Sequence, residues 1–156
     1  MLESALDAPR QTFQGKYLHR TVHDKAAALF RSLANNHALL EGNKPLALTA
    51  AIVFLNLNGY IFHAPRQDSI LLVRRATRLG DKPALSDIAR WFRRHSLRAD
   101  AFLVLSEAEM AEWLGLADAG VEERRRVLHI FIGQASDLVR LEKDPARLYQ
   151  PILRRS

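Results

Sequence analysis

Helical periodicity is the feature of this sequence that most restricts its fold. The clearest example is a set of apolar residues at the spacing of one helix face: Val22, Ala26, Leu29, Phe30 and Leu33. Thr21 precedes this stripe as a good N-cap, and Asp24 lies three residues later, where a carboxylate favours a helix start. Asn35-Asn36 is a stop signal. The pattern therefore predicts an amphipathic helix between Thr21 and Asn35-Asn36.

A second helix is predicted to begin around Lys44 or Pro45 and to end at Asn58-Gly59, a standard C-terminal signal. Its expected buried stripe consists of apolar residues at helical spacing: Leu46, Ala50, Val53, Phe54 and Leu57. Ala47 and Ala51 are small, which would let neighbouring helices approach this one closely.

Weaker signals predict an extended segment and two further helices in the middle of the chain. Tyr60-Ile61-Phe62 is typical of a short extended piece. Asp68 can cap a third helix, which is expected to end at Gly80. Ser86 can cap a fourth helix that continues to about His95.

Two more helices are predicted in the last third of the chain. Ser106 and Glu109 form a capping box for a fifth helix. A long sixth helix is marked by apolar residues at helical spacing: Val127, Leu128, Phe131, Ile132, Ala135, Leu138 and Val139. Together these elements predict an all-α fold, a helical bundle with an additional C-terminal helical pair. A change in composition near residues 99–105 divides it into a helical domain at 1–98 and a C-terminal helical extension at 99–156.

The composition restricts the chemistry and the location of the protein. There is no cysteine, which excludes disulfides, thiol catalysis and cysteine-based zinc sites, and which fits a cytoplasmic protein. We expect no membrane insertion, because no apolar run is long enough to span a bilayer and no signal peptide is evident. The formal net charge of +6 favours anionic partners. Nucleic acid is not the expected partner, because the arginine clusters are not interleaved with aromatic residues.

Residues 37–45, between the first two helices, collect groups suited to phosphoryl or nucleotidyl transfer. The free N–H groups and the dipole at the start of the second helix attract anions, Gly42 permits close backbone approach, and Lys44 adds positive charge. Glu41 offers hard oxygen ligands for Mg²⁺ held together with a nucleotide phosphate. His37 titrates near neutral pH and is the natural general base for a hydroxyl nucleophile. Such a transfer depends on positioning and electrostatic stabilisation more than on covalent chemistry.

Each of these residues also has an ordinary structural interpretation. A histidine at a helix end, such as His37, is usually a cap or a packed polar residue. Glu41-Gly42-Asn43 can simply form a turn, with Asn43 as an N-cap and Pro45 as a first-turn proline. The residues alone therefore leave both interpretations open.

The order of these residues resembles the motif of the Fic/Doc family. It runs His37-x-Leu39-x-Glu41-Gly42-Asn43-Lys44 and leads into an alanine-rich helix that ends in VFLNLNGY. The similarity extends to LESALDAPRQTFQG before the first helix, to the helix itself and to DIARWFRRH, so it covers about residues 1–97. It is greatest for the death-on-curing (Doc) toxin branch. The resemblance implies a compact Fic/Doc-like helical bundle.

The resemblance also implies an activity and roles for residues. Fic enzymes typically transfer AMP from ATP to a protein hydroxyl, whereas Doc toxins phosphorylate a threonine of the translation factor EF-Tu and are inhibited by an antitoxin. By position, His37 is the base, and Glu41 is the Mg²⁺ ligand. The phosphates of ATP or another nucleotide are bound by Gly42, Asn43 and Lys44. Arg10–Gly15 corresponds to the flap that aligns the target. A Phd-like antitoxin is an expected partner.

The sequence departs from the family pattern in ways that keep a second hypothesis open. Pro45 stands where the family has an arginine, and the loss of one preorganised donor costs about 3–4 kcal/mol at a charged transition state. Leu39 replaces a phenylalanine, and family members normally have more chain before Leu2. Residues 99–156, outside the resemblance, could cover a bare face, dock a second protomer in an oligomer or act as an internal inhibitor. The alternative to a transferase is therefore a degenerate, non-catalytic module that binds a nucleotide or a partner.

Overall fold

The structure of the protein, a computed structural model, is mainly α-helical as predicted and describes residues 2–35, 43–78 and 82–144. The helices in these ranges are α1 (Leu2–Leu6), α2 (Val22–Asn35), α3 (Asn43–Leu57), α4 (Arg66–Thr77), α5 (Leu85–Arg94), α6 (Ala99–Leu103), α7 (Glu107–Trp113) and α8 (Val121–Lys143), with a 3₁₀ turn at Ala8–Arg10. The strands are β1 (Thr12–Phe13), β2 (Lys16–Tyr17), β3 (Tyr60–Phe62) and β4 (Ser96–Arg98), and they pair as β1–β2 and β3–β4.

The chain forms two compact units, and each unit combines two separate stretches of sequence. The first unit comprises Met1–Leu55 and Ala64–Ser96, and the second comprises Asn56–His63 and Leu97–Ser156. The sequence-based division into domains at residue 98 stays a prediction. Among the described residues, no helix combines the length and the apolar character that a bilayer crossing requires.

Helix α2 is the central element of the first unit and contacts α1, the 3₁₀ turn, α4 and α5. Its predicted start is confirmed: the Asp24 N–H donates to Thr21 Oγ1 and the Thr21 N–H donates to Asp24 Oδ2, each at 3.0 Å. The Phe30 ring is fully buried and meets the buried Phe92 ring of α5 edge-on, with 5.9 Å between centroids. Ala27 is also fully buried, so the helix is covered on more than the one predicted face.

The predicted buried stripe of α3 is wrong. Leu46, Val53 and Leu57 are exposed by 37%, 47% and 63% of their surface, whereas Ala47, Ala51 and Leu55 are fully buried. From Pro45 to Leu57 this helix carries no charged residue, so its sequence is apolar on all sides and periodicity cannot select the buried face. The side with small residues is the buried one, because small side chains permit close approach of neighbouring backbone.

The predicted caps of α4 and α5 are also wrong, although both helices exist. Pro65 and Ala84 occupy the N-cap positions without a side-chain hydrogen bond, and Asp68 and Ser86 lie inside the first turn. A proline at or just before each start holds the incoming chain extended, which defines the helix start without a polar cap. In α4, Asp68 still places negative charge near the positive end of the helix.

The second unit is built around α8 and an aromatic core. The predicted capping box is confirmed, since the Glu109 N–H donates to Ser106 Oγ and the Ser106 N–H donates to Glu109 Oε2. α7 and α8 are the predicted C-terminal pair, and the short α6 precedes them. The buried core of this unit joins residues from β3 to α8: Ile61, Ala99, Phe102, Met110, Leu114, Leu128 and Ala135. The extended Tyr60-Ile61-Phe62 is likewise confirmed as β3.

Candidate functional site

The predicted motif falls in the connection between α2 and α3. α2 ends at Asn35 and α3 begins at Asn43, so Asn43 and Lys44 open the second helix, and the Lys44 side chain is exposed. The predicted base His37, the predicted metal ligand Glu41 and the predicted phosphate-binding Gly42 lie outside the described residues. The structure therefore places Lys44 at a helix start but does not test the whole set.

The first turn of α3 suits an anionic ligand. Within Asn43–Leu46 there is no acidic residue, and the exposed Lys44 adds charge to the positive end of the helix dipole. Pro45 is exposed in the same turn, where its missing N–H would have no partner inside the helix. Proline thus fits the helix but removes one donor and the charge that arginine would bring. The nitrogen donors of this turn fit a nucleotide phosphate, and Mg²⁺ would depend on Glu41.

A tight β-hairpin precedes α2 in the segment that the family resemblance assigns to a flap. β1 and β2 pair antiparallel, with Thr12 opposite Tyr17 and Phe13 opposite Lys16. Gln14 and Gly15 connect them with φ angles of 51° and 75°. Two successive positive φ angles are typical of the type I′ turn, whose twist matches that of the paired strands. The role of this hairpin in aligning a target stays a prediction.

An open groove with a volume of about 530 Å³ lies in the first unit. α2 contributes one face to it through Ala28, Arg31, Ser32 and Asn35, which follow the i, i+3, i+4, i+7 spacing of a helix face. The remaining lining residues come from three other segments: Ala8, Gln11, His19 and Lys82. We call this set of eight residues the basic groove.

Among the described residues that line the basic groove, the charged ones are Arg31 and Lys82, and none is acidic. Lys82 Nζ donates to Asn35 Oδ1, and Asn35 Nδ2 donates to the backbone oxygen of Arg31 at 2.7 Å. Partial burial lowers the pKa of His19, and the positive charges of Arg31 and Lys25 add to this effect against the opposing charge of Asp24. At neutral pH the groove therefore carries two cations and a neutral imidazole.

A second histidine, His23 in α2, is buried and belongs to the core. His23 is 8% exposed, and its Nε2 shares a 2.8 Å hydrogen bond with Ser96 Oγ. Burial lowers the pKa of His23, with a further contribution from Arg93 that outweighs Asp24. A neutral imidazole in a hydrogen bond fits a structural role.

Sequence reasoning missed the basic groove. On the sequence alone, no role is assigned to His19, Arg31 or Lys82. A signal existed for Arg31, which lies four residues before Asn35 on the face of α2 that the apolar stripe leaves free. No local signal existed for Lys82, because only tertiary packing brings the segment before α5 next to α2.

Comparison with known proteins shows which family the first part of the chain resembles. The model of the Fic/DOC family matches residues 1–55, which contain the hairpin, α2 and the whole motif. Residues 1–55 are therefore similar to this family. The protein named Toxin Doc from Mycolicibacterium smegmatis is 48% identical over 59 residues, which are 38% of this chain and 45% of that protein. The chain thus matches less than half the length of this relative, and no solved structure matches it.

Proposed function

We propose that this chain is a Doc-like toxin that transfers a phosphoryl or nucleotidyl group from ATP, or another nucleotide, to a hydroxyl group of a protein. The observation that supports this most is the family match over residues 1–55, because it contains all five proposed site residues: His37, Glu41, Gly42, Asn43 and Lys44. A translation factor is the acceptor that the resemblance favours. The similarity to Toxin Doc supports a toxin–antitoxin context, with a Phd-like antitoxin as the second partner.

In the proposed reaction the acceptor oxygen attacks a phosphorus of the nucleotide, and its proton moves to the imidazole of His37. Attack on the γ-phosphorus releases the nucleoside diphosphate, and attack on the α-phosphorus releases diphosphate. The first turn of α3 and the exposed Lys44 bind the phosphates and stabilise the charge that develops on them. Mg²⁺, held by Glu41, would neutralise part of the phosphate charge when it is bound.

The second candidate is a non-catalytic Doc-like module that retains nucleotide or partner binding. Pro45 favours it, because this exposed first-turn position lacks both the charge and the N–H of an arginine. The α3 helix forms with proline there, so the fold and the catalysis can be affected separately. The two candidates therefore predict the same fold and different turnover.

The decisive experiment is transfer of radiolabel from ATP to protein. The full chain is incubated with Mg²⁺, a bacterial lysate and ATP labelled at either the γ- or the α-phosphate. A transferase labels a lysate protein, His37→Ala abolishes the label, and His129→Ala, a matched change at an exposed histidine of α8, preserves it. The position of the label that is transferred distinguishes phosphoryl from AMP transfer.

The variant Pro45→Arg separates the two candidates. For an impaired transferase we expect labelling to increase, by as much as ~100- to 1000-fold if the arginine contacts the transition state. Label from Pro45→Arg but not from the parent chain would support the non-catalytic module. The absence of label from the parent and from Pro45→Arg would refute the transferase, and calorimetric titration with ATP would then test whether binding remains. A corresponding test can be made in cells. Expression of the parent chain should arrest growth, and expression of His37→Ala should not.

A further inference from the structure

We propose that the basic groove binds an acidic peptide segment of the protein partner, with Arg31 and Lys82 contacting its carboxylates. This inference rests on the proposed function only in that a protein is the partner. It adds a substrate preference that the motif residues do not imply. The preferred protein substrates should carry negatively charged residues near the acceptor hydroxyl.

The charge of the groove is the first argument. Arg31 is exposed, and Lys82 donates to a neutral amide oxygen. Among the described residues neither cation forms an ion pair, whereas other arginines of the molecule pair with carboxylates, such as Arg90 with Asp87 and Arg98 with Glu142. Two cations in a concave surface, with no acid among its described lining residues, produce a positive potential that attracts an anionic ligand.

The shape and the lining of the groove favour a peptide over a nucleotide. Its α2 face extends from Ala28 to Asn35, about 10 Å of helix, which is the length of about three residues of extended chain. Among the described residues, the apolar lining consists of Ala8 and Ala28, which offer no aromatic or large apolar surface for a base. Gln11, Ser32 and Asn35 can exchange hydrogen bonds with a peptide backbone.

The position of the groove along the chain connects it to the proposed chemistry. Its far end is Asn35, the last residue of α2, and the proposed base His37 follows two positions later in the sequence. Gln11, which also lines the groove, directly precedes the hairpin strand β1. The described residues that line the groove therefore include the residue before the hairpin, to which the family resemblance assigns target alignment, and the helix end that precedes the predicted base in the sequence.

The test measures peptide binding in the absence of nucleotide. The probe is a short fluorescein-labelled peptide of alternating glutamate and serine residues, and its matched control has glutamine in place of glutamate. Fluorescence anisotropy should show tighter binding of the glutamate peptide. The double variant Arg31→Gln/Lys82→Gln should lose roughly two- to thirty-fold in affinity, which corresponds to two contacts of about 0.2–1 kcal/mol each.

The control variants separate a local site from general charge. Arg74→Gln/Arg75→Gln removes the same charge from exposed positions of α4 that do not line the groove, and it should retain parental affinity. Arg31→Lys/Lys82→Arg keeps both charges and should retain most of the binding. Equal losses in the two glutamine variants, or no preference for the glutamate peptide, would overturn the proposal. Displacement of the peptide by ATP, with loss of ATP binding in Arg31→Gln/Lys82→Gln, would assign the groove to nucleotide and also overturn it.

The two proposals can fail independently. His37→Ala should bind the glutamate peptide as the parent chain does, because the proposed peptide contacts are those of Arg31 and Lys82. Peptide binding without transfer of radiolabel refutes the transferase and leaves the peptide site in place. Transfer of radiolabel without a preference for the acidic peptide refutes the peptide site alone.

Discussion

The cores of the two units are built from different residues. In the first unit, most buried positions around α2 and α3 are alanines: Ala26, Ala27, Ala28, Ala34, Ala47 and Ala51. In the second unit, rings fill the core, and Phe102 lies 5.8 Å from Trp113 and 6.5 Å from Phe131 between centroids. Alanine lets backbones approach closely, whereas rings fill a wider space and bury more apolar area. The first unit should therefore tolerate larger side chains poorly, and the second should tolerate smaller ones poorly.

Removal of a ring from the second unit should have the largest effect. Phe102→Ala should lower the free energy of unfolding by about 3–5 kcal/mol, because the fully buried ring leaves a cavity and loses its neighbours. The measurement is urea unfolding followed by fluorescence in a Trp91→Phe background. In this background the signal comes from Trp113, which lies in the second unit, so it reports the loss of stability of that unit. Val104→Ala, at a position that is 84% exposed, is the control and should stay within about 0.5 kcal/mol of its parent. A loss below about 1 kcal/mol for Phe102→Ala would contradict an aromatic core.

The next largest loss of stability should come from a larger side chain in place of a buried alanine of the first unit. Ala27→Leu should destabilise by about 1–3 kcal/mol, because Ala27 is fully buried in the helix that contacts four other elements of its unit. Trp91 fluorescence in a Trp113→Phe background reports on this unit. The control is Ala108→Leu at an exposed position of α7, where we expect little change. Equal stability of the two leucine variants would show that the alanine core has spare volume.

Removal of a helix cap should cost the same in both units. Thr21→Ala and Ser106→Ala each abolish a reciprocal capping box, at α2 and α7 respectively, and each should cost about 1 kcal/mol. Ser86→Ala is the matched control, since Ser86 makes no cap in the structure. Urea unfolding midpoints of the three variants test this expectation. If only one of the two cap variants lost stability, the packing around the helix, and not the cap itself, would determine the contribution of the cap.

The smallest expected effect is the pH dependence that His23 gives to the first unit. Because burial lowers the pKa of His23 below its usual 6.5, the unfolded chain binds this proton more readily than the folded chain. The free energy of unfolding should therefore decrease as the pH falls below about 6.5, until the folded histidine is also protonated. His23→Gln, which can keep a hydrogen bond to Ser96, should flatten this decrease between about pH 7.5 and 5.5. His129→Gln, an exposed histidine, is the control, and a decrease of unchanged size in His23→Gln would rule out His23 as its source.

Local patterns predicted those parts of the fold that depend on neighbouring residues. The box at Thr21 and Asp24, the box at Ser106 and Glu109, and the strand at Tyr60-Ile61-Phe62 each depend on a few adjacent residues, and all three are confirmed. The family motif was likewise recognisable, because its residues are contiguous in the sequence.

Contacts between distant residues could not be predicted in this way. The buried side of α3 depends on what packs against a helix that is apolar all round, and the pattern selected the wrong side. The bond from His23 to Ser96 and the position of Lys82 beside α2 join residues far apart in sequence. These features need the three-dimensional arrangement, and they include the polar groups of the candidate peptide site.

The interleaving of the two units has a consequence for synthesis on the ribosome. β3 leaves the ribosome early, between the two stretches of the first unit, yet Ile61 belongs to a core whose other members start at Ala99. The first unit has fully emerged at Ser96 and β3 can then begin to pair with β4, but the core around Ile61 is complete only after α6, α7 and α8. During this interval the apolar side chain of Ile61 lacks its core neighbours, and it can contact other chains. A chaperone that shields nascent chains would have its clearest target there.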